Sequence, residues 1–191
     1  MQKKPEIKIE FLNVKGNWRE VADSARTTIN LGKGKKEPSS EWKYKMLLAE
    51  HSPIRQISIH AKWINIPYWV SVHFVRHKIG IEHWVRTQRS DRTKIDRSNL
   101  PQGALVEHEI LATAQSIINI SRKRLCSQAS KETRNAWILL LKELQKKEPE
   151  IFNACVPECV YRGWCPEYKS CGFHRSSGFT NVLLKYRKNI N

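Results

Sequence analysis

The chain has 191 residues, of which 40% are hydrophobic, and a formal net charge of +16 at pH 7. This length and composition allow one substantial core and exclude a wholly disordered protein. The charge favours anionic partners such as nucleotides, phosphorylated cofactors or nucleic acid. No apolar run approaches the ~20 residues of a membrane span, and the first residues lack the apolar segment of a signal peptide, so we expect a cytoplasmic protein.

Hydrophobic periodicity predicts alternating strands and helices in the first half of the chain. Residues 7–14 alternate apolar and polar side chains, which indicates a half-buried strand. Residues 17–30 switch to helical spacing, with Asn17 as a candidate N-cap. A basic loop and a short helix that ends near Pro53 follow, and residues 54–64 return to the spacing of a strand.

Helical patterns dominate the second half of the chain. Pro67 can begin a helix that continues to Gly80, and a short strand follows it. The longest helical pattern covers residues 103–128, and a further helix is predicted over 131–147.

No internal repeat or low-complexity linker divides the sequence. We therefore predict a single α+β domain over residues 1–150. A basic, cysteine-rich C-terminal extension is predicted over residues 151–191.

Residues 74–92 carry an unusual density of basic side chains. Such a stretch is either a solvated face or a site for a strongly anionic ligand. Its acidic residues are Glu82 and Asp91. Its basic residues include Arg76, His77, Lys78, Arg86, Arg89 and Arg92.

The spacing of these residues resembles the signature of the flavin-dependent thymidylate synthases, an Arg-His-Arg tripeptide followed by Ser-x-Arg. Residues 76–78 (Arg-His-Lys) match the first part and residues 90–92 (Ser-Asp-Arg) the second. Residues 51–53 (His-Ser-Pro) and 97–101 (Arg-x-x-Leu-Pro) match two further elements of that family, and residues 124–134 match its Arg-x4-Ala-x2-Glu-x-Arg pattern. The resemblance covers roughly residues 15 to 140.

Several positions depart from the family pattern. Lys78 replaces an arginine, so a charge remains but the planar fork is lost. Thr113 and Gln115 stand where an Asn-x-Arg pair normally helps to hold the flavin. The segment between Arg92 and Arg97 is much shorter than in typical members.

The resemblance implies a fold with a central, mostly antiparallel sheet packed against long helices. It also implies the reductive methylation of dUMP to dTMP, with FAD as hydride donor, methylene tetrahydrofolate as carbon donor and NADPH as reductant. Members of this family are homotetramers with active sites shared between subunits, so a homotetramer is the expected assembly.

The resemblance also assigns site residues. Arg124 is the candidate catalytic residue, because a guanidinium in a dry site can stabilise the negative charge that develops on the uracil carbonyls and N3. A surface arginine in a basic helix is the alternative interpretation. The flavin is expected to contact His51, Arg76, His77, Lys78 and Asn119. The substrate dUMP is expected to contact His73, Gln88, Ser90, Asp91, Arg92, Arg97 and Arg124.

Two other functions remain open from the sequence. The net charge and the seven tryptophans are compatible with a nucleic-acid-binding protein that retains this fold. The departures from the family pattern are compatible with a related flavin enzyme that alkylates another pyrimidine.

The cysteines pose a separate question. The sequence C-x5-C-x5-C-x2-H from Cys159 to His174, with Cys155 just before it, could form a tetrahedral zinc site that also uses Cys165 and Cys171. Free thiols are the alternative, and nothing in the family resemblance requires a metal. Cys126 is interpreted as a buried structural thiol, because it lies two residues from Arg124 and points off another side of the helix.

Overall fold

A four-stranded antiparallel sheet forms the centre of the computed structural model, which describes residues 5–188. The strands are β1 (Lys8–Lys15), β2 (Ser58–Pro67), β3 (Ile81–Val85) and β4 (Leu105–Thr113). Their order in the sheet is β1-β2-β4-β3, and every neighbouring pair is antiparallel. The predicted α+β class with an antiparallel sheet is therefore confirmed.

Helices connect the strands and continue to the C-terminal region. They are α1 (Trp18–Thr27), α2 (Ser40–Leu48), α3 (Tyr68–Phe74), α4 (Ser90–Thr93), α5 (Ala114–Arg124), α6 (Lys131–Gln145), α7 (Pro149–Ala154), α8 (Glu158–Arg162) and α9 (Ser177–Arg187). Short 3-10 turns occupy Ser52–Gln56, Arg97–Asn99 and Phe173–Arg175. Among the helices of residues 5–188, none is both long and apolar enough to cross a membrane.

The single helix predicted over residues 103–128 is wrong. Residues 105–113 form strand β4, in which Val106, His108, Ile110 and Ala112 are buried on one face with period two. This strand lies between β2 and β3, so two neighbours satisfy its backbone groups and tertiary pairing overrides the apparent helical spacing. Helix α5 begins only after Thr113, whose side chain accepts a hydrogen bond from the Ser116 backbone.

Two other predicted boundaries can be compared with the structure. The predicted N-cap of α1 is confirmed, because the Asn17 side chain accepts a hydrogen bond from the Glu20 backbone amide. The helix predicted from Pro67 to Gly80 begins as expected but ends at Phe74. Gly80 instead forms the turn into β3, with a φ of +66°.

The helices cover one face of the sheet, with Trp63 of β2 at the centre of the packing. Its ring stacks near Phe74 of α3 at 5.1 Å and Trp137 of α6 at 6.2 Å. The Trp63 indole donates to the Ala136 carbonyl at 2.9 Å, and the Trp137 indole donates to Ser121 Oγ at 2.9 Å. Both buried indoles therefore keep a hydrogen bond, and α3, α5 and α6 are held together above the sheet.

The opposite face of the sheet carries charged side chains. Lys62 lies 2.8 Å from both Glu10 and Glu107, and these ion pairs raise the pKa of the lysine. His60 pairs with Glu109 at 2.6 Å on the same face. The sheet is thus apolar on one side and polar on the other, as is common for antiparallel sheets.

The C-terminal helices pack onto this framework. Ile151 and Ala154 of α7 are buried in the main core, next to α2 and α6. A smaller cluster forms around Val160 and Phe179, where α8 meets α9.

Candidate active site

Arg124 lies at the end of α5, where the C-terminal ends of α3 and α5 meet. Its Nε donates to His77 Nε2 at 2.9 Å, and its Nη2 donates to the His73 carbonyl at 2.6 Å. The side chain is half-buried, and burial followed by the charge of Arg76 lowers its pKa. A guanidinium stays protonated in proteins, so the site holds a partly desolvated and fixed positive charge.

His77 is the neutral partner of this guanidinium. Burial, then the charges of Arg124, His83 and Arg76, lower the pKa of His77 to about 4. At pH 7 its ring is therefore uncharged, and Nε2 accepts the hydrogen bond from Arg124. The arginine is oriented without an acidic partner, so its positive charge is not neutralised.

Two further histidines, His83 and His108, form a hydrogen-bonded chain that begins at His77. His83 Nε2 donates to the His77 carbonyl at 2.9 Å, which leaves His83 Nδ1 to accept from His108 Nε2 at 2.9 Å. His108 is fully buried, and burial together with the charge of His83 lowers its pKa to about 3. Its Nδ1 has no hydrogen-bond partner among residues 5–188. This chain of imidazoles supports the backbone that carries His77.

Sequence reasoning missed both inner histidines. His108 belongs to a segment for which the spacing predicts a helix, and His83 lies outside the family motifs. The one available signal is the alternation of residues 105–113, which places His108 on the buried face of a strand.

His73 is the other predicted substrate residue that contacts Arg124. Its carbonyl accepts from Arg124, and its Nδ1 bonds Thr133 Oγ1 at 2.8 Å. Thr133 is in turn bonded to Ser130 at the start of α6. Burial, then Arg124 and Arg76, lower the pKa of His73. The structure therefore brings together three of the predicted site residues: His73 on α3, His77 on the turn after α3, and Arg124 on α5.

The other predicted substrate residues lie on an exposed excursion between β3 and β4. Ser90 Oγ accepts from the Arg97 backbone amide at 3.2 Å, and the Asp91 carboxylate accepts from Arg89 Nε at 3.0 Å and from Arg89 Nη2 at 2.7 Å. Arg92 and Arg97 are exposed, and Gln88 is half-buried just before α4. In the part of the chain that the structure describes, no hydrogen bond or ion pair joins this segment to Arg124.

Asn119 lies on the opposite side of α5 from Arg124. It accepts a hydrogen bond from Gln115 at 3.3 Å, and Gln115 also donates to Glu50 at 2.8 Å. Arg122 pairs with Glu50 and stacks 3.5 Å from the centre of the Tyr161 ring. The predicted flavin residue Asn119 is thus placed in a second polar cluster, away from His77.

His51 borders a cavity of about 850 Å³ between the basic loop after α1 and helix α2. Its Nδ1 is buried and has no hydrogen-bond partner among residues 5–188. Trp42 and Met46 provide apolar walls. Basic side chains at the edge are Arg26, Lys33, Lys35 and Lys36. The remaining predicted flavin residues, Arg76 and Lys78, are exposed beside His77.

Comparison with known proteins supports this assignment of the fold. No protein-family profile matches the chain. A flavin-dependent thymidylate synthase from Clostridium tetani (strain Massachusetts / E88) is 30% identical over 95 residues, which are 48% of this chain and 38% of that protein. The chain therefore aligns with well under half the length of this curated relative.

Among solved structures, the UMP/dUMP methylase PolB from Streptomyces cacaoi, bound with 5-Br dUMP, superposes with a TM-score of 0.62 at 11% identity. The match covers 79% of this chain and 95% of that chain, so the two share a fold. Together with the motifs around Arg76, Ser90 and Arg124, these similarities agree with the resemblance found in the sequence: part of the chain is similar to a flavin-dependent thymidylate synthase, and its fold is that of the methylase PolB.

Proposed function

We propose that this chain methylates dUMP at C5 of the uracil ring and forms dTMP. The observation that carries the proposal is the half-buried Arg124 guanidinium, held by His77 and by the His73 carbonyl. Its Nη1 makes no hydrogen bond to any other described residue and is available to a ligand.

The geometry supports activation of a uracil ring without a covalent nucleophile. C5 becomes nucleophilic when negative charge on the ring carbonyls and N3 is stabilised, and a fixed cation in a partly dry site does this most effectively. Because His77 is neutral at pH 7, it orients Arg124 without offsetting that charge.

The phosphate of dUMP would be bound by Ser90 and Arg92, with Arg97 in support. A hydroxyl and guanidinium groups are suitable donors to a phosphate. These residues lie on an exposed segment without a bond to the Arg124 cluster. In the homotetramer that the resemblance implies, one subunit would contribute this phosphate-binding segment to the active site of its neighbour.

The cavity beside His51 fits FAD, which combines apolar rings with an anionic pyrophosphate. A volume of about 850 Å³ is in the range of small-molecule sites. His51 Nδ1 could bond the isoalloxazine or ribitol part, while Lys33 and Lys35 could bind phosphate. When bound, FAD would supply the hydride, methylene tetrahydrofolate the carbon and NADPH the electrons that renew the flavin.

FAD binding can be tested without turnover by measuring flavin fluorescence. We expect His51→Ala to raise the Kd for FAD about tenfold, the equivalent of one lost hydrogen bond. His60→Ala on the open face of the sheet is the matched control and should leave the Kd unchanged. Equal effects of the two substitutions would contradict the assignment of this cavity.

The proposed reaction is tested by tritium release from [5-³H]dUMP in the presence of FAD, NADPH and methylene tetrahydrofolate. Arg124→Ala should lower turnover by about 100-fold or more, as expected for the loss of a preorganised charge. Lys123→Ala, an exposed neighbour on the same helix, is the control. Unchanged turnover in Arg124→Ala would overturn its assigned role.

UMP is the second substrate to test. The structural neighbour PolB is a methylase of both UMP and dUMP, and this chain departs from the family pattern at several positions. Comparison of kcat/KM for the two nucleotides would show whether the 2′-hydroxyl is accepted.

A further inference from the structure

Four of the five cysteines line one cavity of about 320 Å³, although they are distant in the sequence. Cys126 follows α5, Cys159 lies in α8, and Cys165 and Cys171 belong to the loop after α8. The fifth, Cys155, is buried elsewhere, where Ser121 and Arg122 are its neighbours.

The four cysteines surround one shared cavity, which they line together with the apolar side chains of Leu125, Pro157 and Phe173. All four are free thiols in the structure.

The loop that carries two of these cysteines has little other support. Residues 163–176 contain only one short 3-10 turn. Gly163 and Gly172 adopt φ values of +84° and +86°, so the chain turns sharply on either side of Cys165 and Cys171. The adjoining hydrophobic cluster is small, and segments of this kind are commonly held by a metal or by disulfides.

The size of the cavity bears on which kind of metal centre it could hold. Within residues 5–188, no three His, Cys, Asp or Glu side chains are drawn together as they would be around a single ion. The cavity of about 320 Å³ is far larger than a single ion requires. Four thiolates around a larger space suit an iron–sulfur cluster, whereas a single zinc ion needs its four ligands at about 2.3 Å.

We propose that Cys126, Cys159, Cys165 and Cys171 are the thiolate ligands of a [4Fe–4S] cluster in this cavity. Arg134 lines the same cavity and offsets part of the negative charge of the thiolates, while Glu158 and Glu167 line it as well. The ligand set differs from the zinc site considered from the sequence, since it includes Cys126 and omits Cys155 and His174. His174 also lines the cavity, but its Nδ1 is bonded to Ser170 at 3.0 Å.

The test uses the full chain, purified without oxygen and reconstituted with iron and sulfide. Iron, acid-labile sulfide and zinc are then measured per chain. We expect about four iron ions and four sulfide ions per chain. After reduction we also expect an electron paramagnetic resonance signal that differs from the signal of FAD. Cys171→Ser, at an exposed position, should fold and lose the iron, whereas Cys155→Ala should retain it.

Three outcomes would overturn the proposal. The first is a protein without bound iron and sulfide after reconstitution, and the second is iron content that is equal in Cys171→Ser and the unaltered chain. The third is one zinc ion per chain with no sulfide, which would replace the cluster by a single-ion site. The dUMP assay is independent, so the two proposals can fail separately.

Discussion

Acidification is expected to destabilise the fold through His108. This side chain is fully buried, with its ring 5.8 Å from both Trp63 and Phe74, and its pKa is about 3. In the unfolded chain the pKa returns to about 6.5. The unfolded state therefore binds more protons between these two values, so stability is complete above pH 6.5 and falls as the pH is lowered toward 3.

The size of the effect follows from the difference between the two pKa values. Each pH unit within the window corresponds to 1.36 kcal/mol. Lowering the pH from 6.5 to 5 should therefore remove about 2 kcal/mol, a large part of the 5–15 kcal/mol that stabilises a typical domain. His77 acts in the same direction between pH 6.5 and 4, but solvent near its half-buried ring reduces its contribution.

Urea denaturation at pH 7 and pH 5 measures this effect. His108→Gln removes the titration while its amide can still donate to His83 Nδ1. The unaltered chain should lose about 2 kcal/mol more stability between the two pH values than this variant. His108→Phe, which fits the aromatic surroundings, provides a second non-titrating variant. An equal loss in all three proteins would refute the reasoning, because it would show that His108 does not resist protonation.

Two further substitutions test the turn before β3 and the phosphate-binding segment. Gly80→Ala should destabilise the fold by about 2 kcal/mol or more, because φ is +66° and a Cβ would lie 2.5 Å from Ser116 Oγ. Gly103→Ala, where no atom lies within 4 Å of the added Cβ, is the control, and equal midpoints in urea would contradict the argument. Arg92→Ala should raise the Kd for dUMP at least tenfold and leave the Kd for FAD unchanged, since guanidinium contacts to phosphate are charge-assisted. Lys94→Ala is its control in equilibrium binding, and equal losses for both ligands in Arg92→Ala would count against the assignment.

Parts of the fold could be predicted where a local pattern has one interpretation. In β2 the alternation of Ile59, Ala61 and Trp63 predicts the buried face, and all three are fully buried. Asn17 caps α1 because the N-cap depends only on residues within one turn. Residues 105–113 carry a similar alternation, but their apolar positions also fit a helix, and only the pairing with two strands decides between them.

The candidate site, too, could be predicted from the sequence only in part. The family motifs pointed to His73, His77 and Arg124, and the structure brings these three residues together. The same motifs could not show that Asn119 faces away from Arg124, or that residues 90–92 are exposed. Those facts depend on the rotation of α5 and on the path of the loop between β3 and β4.

The sequence by itself determined the alternation of β2, the N-cap of α1, the basic character of residues 74–92 and the spacing of the family motifs. Only the tertiary structure placed His108 behind His83 and gathered Cys126 with three cysteines more than 30 residues away. The physical reason is that periodicity and capping arise from neighbours along the chain. Burial, pKa shifts and metal-binding geometry arise instead from side chains that meet only after the sheet and helices have packed.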